Sequence, residues 1–141
     1  MSRARELLDV GPGPGGLDAD DLSAAIDACL EAAQACTSDA DADLAEEDVA
    51  DLRTCIGLCF DCADVCHATA RVLSRQIAYD EALVYRLLEA CIRACESCAE
   101  ECERHADHHP HCRICAECCR DCERKCRRLL DPEALGWVPS S

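Results

Sequence analysis

Cys91-Ile92-Arg93-Ala94-Cys95-Glu96-Ser97-Cys98-Ala99-Glu100-Glu101-Cys102 spaces its cysteines by four, three and four residues. Residues three and four apart share one face of an α-helix, so these four thiols form a single stripe. The same pattern occurs upstream at Cys55, Cys59, Cys62 and Cys66. It recurs downstream, half a period out, at Cys112, Cys115, Cys119, Cys122 and Cys126. A helix normally turns Leu and Ile toward its neighbours, and here those positions carry sulfur. The spacing predicts an all-α fold whose helices pack cysteine against cysteine.

Reading in order, residues 1–17 form a polar, Gly- and Pro-rich lead-in that is expected to be flexible. Asp18 or Asp20 can cap a first helix running to about Thr37, with Leu22, Ala25, Cys29, Ala32 and Cys36 facing inward. A polar connection rich in Asp and Ala follows, from Ser38 to about Asp43. The second helix is expected from near Glu46 past Leu73, and the third from a cap at Asp80 to about Ala106. Pro110 suits the first position of a fourth helix, which ends near Leu130. Four helices with short connections predict an antiparallel four-helix bundle with a Cys-lined core, spanning 18–130. Residues 131–141, including Trp137, form a packed or loose tail.

In an antiparallel pair the numbers of facing residues add to a constant, which fixes register. The rule pairs Cys66 with Cys91, Cys62 with Cys95, Cys59 with Cys98, and Cys55 with Cys102. It also pairs Cys91 with Cys126, Cys95 with Cys122, Cys98 with Cys119, and Cys102 with Cys115. For the first helix it offers Cys36 opposite Cys55 and Cys29 opposite Cys62. His105 is expected opposite Cys112. Cys118 falls off its helix's stripe by roughly 80–120°. One end of this interior is apolar, with Leu22, Leu73, Ile77, Val84, Leu87, Leu88, Leu129 and Leu130. The other carries His105, His108, His109 and His111 and reads as a mouth, with His105 and His109 the stronger ligands or gatekeepers. His111 and His67 lie off the stripe and are expected to face solvent.

Sixteen cysteines in 141 residues could build a secreted disulfide scaffold. The helical spacing argues otherwise, and the first residues show neither an apolar signal core nor a twin-Arg pair. A cytoplasmic protein with reduced thiols is expected. No apolar run is long enough to span a bilayer, so no membrane partner is expected. The formal net charge of −15 disfavours nucleic acid.

Thiols in register suit a soft metal. Cu(I) favours thiolates and accepts few ligands, so bridging sulfurs could hold multiple Cu(I) ions, up to roughly one per thiol. Each ion displaces a proton, which keeps loading nearly neutral in charge. Two other functions would also use closely spaced thiols. Cys112, Cys115, Cys118 and Cys122 match the bacterial ferredoxin spacing of an iron–sulfur electron-transfer protein. Glu123 stands where that motif has Pro, and the segment reads as unbroken helix. A general zinc or heavy-metal sink is the other. Enzyme chemistry lacks its motifs: no Glu-x-x-His pair precedes His105 or His67, and no βαβ pattern surrounds the Cys-x2-Cys steps.

The three Cys stripes and the His cluster resemble the bacterial copper storage proteins of the cytosolic type, over about residues 18–130. The resemblance implies Cu(I) storage without turnover, His at the entrance, and often a homotetramer; delivery of the copper by a chaperone is expected. With only Cys29 and Cys36 on the first helix, capacity is expected to be somewhat below that of better-filled relatives.

Overall fold

The computed structural model describes residues 2–13 and 16–131. Its helices are α1 (Arg3–Val10), α2 (Ala19–Leu44), α3 (Arg53–Leu73), α4 (Glu81–His105) and α5 (Pro110–Leu130), with a 3-10 turn at Val49–Leu52 before α3. The four long helices α2–α5 form the bundle, each packed on two of the others: α2 touches α3 and α5, and α4 touches α3 and α5.

Local chemistry sets the helix ends. The Asp18 carboxylate accepts from the Asp21 amide at 2.9 Å, and Asp80 accepts from the Leu83 amide at 3.1 Å. Each cap satisfies an otherwise orphaned backbone donor, worth about 1 kcal/mol. Pro110 opens α5, where its missing N–H costs no hydrogen bond.

Three features depart from the sequence reading. Within the 1–17 lead-in, Arg3–Val10 is helical, capped by Ser2 and joined to α2 through Arg5, which pairs with Asp9 and Asp20. The first bundle helix runs through Leu44, well past Thr37, so the expected polar connection is two further helical turns. The second begins at Arg53 rather than near Glu46. The tail beyond Asp131, with Trp137, lies outside the described residues.

The apolar end is a packed plug. Leu22, Leu88 and Leu129 are fully buried, Leu73 and Val84 nearly so, and Leu8 and Leu17 add to them from the N-terminal side. Burying each such side chain is worth about 1.5–3 kcal/mol. Of the expected residues, Leu87 and Leu130 are only half-buried, and Ile77 is 87% exposed because it sits in the connection between α3 and α4 rather than on either helix.

Candidate metal centre

Fifteen of the sixteen cysteines are buried, and all sixteen are free thiols. The α3–α4 register is the expected one. Cys66 and Cys91 lie 3.8 Å apart, Cys62 and Cys95 3.9 Å, Cys59 and Cys98 3.7 Å, and Cys55 and Cys102 3.6 Å. Cys91 and Cys126 meet at 3.9 Å across α4 and α5. These are van der Waals separations between unbonded sulfurs, far from the S–S bond length of a disulfide.

Helix α2 sits about one turn from its expected register. Cys29 lies against Cys91, Cys122 and Cys126 at 3.6–3.9 Å. Cys36 lies 3.8 Å from Cys98, 3.5 Å from Cys119 and 3.6 Å from Cys115. On α3 its neighbours are Cys59 and Cys62, not Cys55.

The sulfurs gather into four-ligand groups whose atoms lie within 4.8 Å of one another. One is Cys29, Cys91, Cys122 and Cys126, and the next is Cys66, Cys91, Cys95 and Cys122. Cys36, Cys98, Cys115 and Cys119 form another, followed by Cys59, Cys98, Cys102 and Cys115. Cys62 links the two halves through Cys66, Cys95 and Cys119 at 3.7–3.9 Å. Because successive groups share members, the interior is one continuous column of sulfur. Shared thiolates suit monovalent ions that accept bridging ligands, whereas Zn2+ asks for a closed tetrahedral set of its own.

Buried thiols cannot all ionise together. Contacts with neighbouring sulfurs first, and burial in addition, push the Cys36, Cys95 and Cys102 thiols above their ordinary range. Such thiols release their protons only as metal replaces them.

At the His-bearing end α2 contributes carboxylates where the other helices contribute thiols. Asp39 Oδ2 accepts from Cys59 and Cys102 at 3.4 Å each and from Cys55 at 4.0 Å. Its Oδ1 lies 2.5 Å from His111 Nδ1. Asp43, fully buried, accepts from Cys112 at 3.4 Å. Burial first, and then the neighbouring Asp39, push the Asp43 carboxyl up to about 8. The Asp39 carboxyl is also raised by burial, with the His111 hydrogen bond opposing. Burial alone would depress His111, but its bonds to Asp39 and Glu46 outweigh that and raise it.

Asp39, Asp43 and His111 escaped the sequence reading. Continuing the step of the α2 stripe beyond Cys36 lands on Asp39 and then Asp43, a signal available in the sequence. His111, expected to face solvent, instead lies inward between Asp39 and Glu46, with only a quarter of its side chain exposed. His109 is buried; its Nε2 lies 3.1 Å from Asp48 and its ring 5.2 Å from that of His111. His105 turns back to Glu101 at 3.3 Å, rather than across to Cys112. His108 and His67 are exposed. Cys118 is half-buried on α5 and stands outside the sulfur contacts, as its phase on the helix implied.

The copper storage protein family matches residues 18–131, which is the whole bundle. The chain belongs to this family. A copper storage protein, Ccsp, from Streptomyces lividans, solved loaded with 10 copper equivalents, is 50% identical and superposes with a TM-score of 0.88, covering 90% of this chain and 97% of that one. A structure of copper loading to a cytosolic copper storage protein from the same organism, with five coppers, is 52% identical with a TM-score of 0.78, covering 79% of this chain and 92% of that one. No curated protein matches the chain. The mixed Asp39, Cys55, Cys59 and Cys102 group marks where sulfur gives way to oxygen.

Proposed function

We propose that this chain stores and buffers many Cu(I) ions in the cytosol by binding them as thiolates along the column. The observation that carries this reading is the sharing of sulfurs between successive four-ligand groups. Soft monovalent ions fill such a column from site to site, and each ion that enters replaces a thiol proton, so the interior gains little net charge. The bundle is a passive store without turnover. Its apolar plug supports exchange through the opposite end, where Asp39, Asp43, Glu46, Asp48, His109 and His111 supply negative charge and transient ligands. Delivery by a copper chaperone and assembly as a homotetramer extend the reading. Size-exclusion chromatography with light scattering tests the second of these.

Competition tests the ion. Reduced protein offered Cu(I) and excess Zn2+ together should take up copper and give a colourless, luminescent product. A brown product after iron and sulfide reconstitution, or retention of zinc throughout the column against Cu(I), would overturn the reading.

A further inference from the structure

Helix α3 turns its cysteines inward, and its back carries a line of residues that the store does not use. Gly57, Asp61, Asp64, Ala68, Arg71 and, just past the helix end, Arg75 follow at steps of four, three, four, three and four, and all are exposed. These steps are those of a seam between paired helices. Acid occupies one half of the line and base the other, with Ala68 between them. Asp61 and Arg75 lie seven residues either side of Ala68, Asp64 and Arg71 four and three. None of these four charges makes an ion pair among the described residues. Every basic side chain of α5, by contrast, has an acidic partner.

Two further features belong to this face. Gly57 lies within the helix, where glycine costs about 1 kcal/mol relative to Ala. A Cβ there would meet open space, so nothing within the chain calls for glycine. Phe60, the one Phe of the chain, is 46% exposed beside the line. It shares its side of the helix with His67, which borders the groove between α2 and α3. On that same side, beyond the basic half of the line, a shallow groove is lined by Leu30, Ala70, Arg71, Ser74 and Arg75.

We infer that two copies of this chain pack through this face, α3 against α3, antiparallel about a two-fold axis at Ala68. The line is its own complement. In the antiparallel pair Asp61 of each copy meets Arg75 of the other, and Asp64 meets Arg71, twice over. A parallel pair would set like charges together. Ala68 at the centre and Gly57 toward the edge let the backbones approach closely. The same symmetry lays Phe60 of each copy over the groove beside Leu30 of the other, an aromatic anchor among arginines and apolar side chains. A chain of net charge −15 repels its own copies overall, and this line is a place where the charge sums to zero.

The contact rests on the proposed assembly of several copies and not on the copper count. Light scattering on full-length reduced protein, over a range of concentrations, tests it. Asp61→Arg with Asp64→Arg makes the line wholly basic, and Arg71→Asp with Arg75→Asp makes it wholly acidic. Each double variant should have half the particle mass of wild type. Mixed in equal amounts, the two should regain the wild-type mass, because only the unlike pair is complementary. Phe60→Ala should weaken association by about tenfold or more. The altered side chains are exposed, so circular dichroism and Cu(I) capacity should match wild type. A double variant that keeps the wild-type mass, or a mixture that stays at half of it, overturns the proposal and leaves assembly itself standing. A wild type that is monomeric throughout overturns the assembly together with the face. A low copper count in an assembled protein counts instead against the storage reading.

Discussion

Asp39 and His111 are joined at 2.5 Å, and this contact is where the sulfur column meets the polar mouth. The same carboxylate accepts from three thiols on its other side, so Asp39 holds a position that a fourth sulfur would otherwise fill. Asp39→Cys should therefore lengthen the column and raise Cu(I) capacity by about one ion per chain. Anaerobic titration of wild type and variant side by side measures the difference. A lower capacity in the variant would mean that the carboxylate itself belongs to the store.

Cys62 and Cys118 separate membership of the column from mere cysteine content. Cys62 bridges the two halves of the column, while Cys118 lies half-buried apart from it. We expect Cys62→Ser to remove about one or two ions from the saturating count and Cys118→Ser to remove none. Equal losses in both variants would contradict the assignment of the column.

The histidines at the mouth should govern rate more than amount. His109 is held between Glu46 and Asp48, and His105 beside Glu101, so neither reaches into the sulfur groups. Replacing both with Ala should slow copper loading, or its release to a chelator, by about tenfold or more with the final count nearly unchanged. Stopped-flow loading curves against end-point titration make the distinction. A large fall in capacity would place the histidines in the store.

The apoprotein should lose stability as the solution becomes alkaline. The Asp43 carboxyl stands at about 8, above its ordinary value of 3.8, so over that interval the folded chain binds more protons than the unfolded one. Unfolding free energy then falls as pH rises from about 4 to about 8. His111, raised by its acidic neighbours, acts in the same direction: its contribution is present below its unfolded value and disappears as pH passes its folded one. Thermal melts of metal-free protein should give a higher Tm near pH 6 than near pH 8.5, and Asp43→Asn should flatten the difference. A Tm that climbs over this range would refute the burial of a protonated Asp43.

Much of the bundle was legible because three helices carry dense stripes. With sulfurs on α3 and α4 at matching steps, only one antiparallel register places every thiol against another, and it is the one observed. Helix α2 offers only Cys29 and Cys36, seven apart. Pairing Cys36 with Cys55 or with Cys59 satisfies the arithmetic equally, since Cys62 and Cys66 stand ready for Cys29 in either case. What decides between them is packing along the whole length of α2, and two cysteines do not encode that. Asp39 and Asp43 were hidden for a different reason. Acidic residues near a helix end read as loop or solvent, and their core role emerges only once α5 brings His111 and Cys112 against them. Ile77 shows the converse, an apolar residue that looked like core but lies on a connection with no helix to turn it inward.

The most direct measurement is the number of Cu(I) ions the reduced chain holds at saturation, titrated without oxygen against a competing chelator. A column of shared thiolates should fill to roughly one ion per buried sulfur, well above ten per chain. Saturation at about one to four ions would show discrete closed sites instead, and would contradict storage along a continuous column.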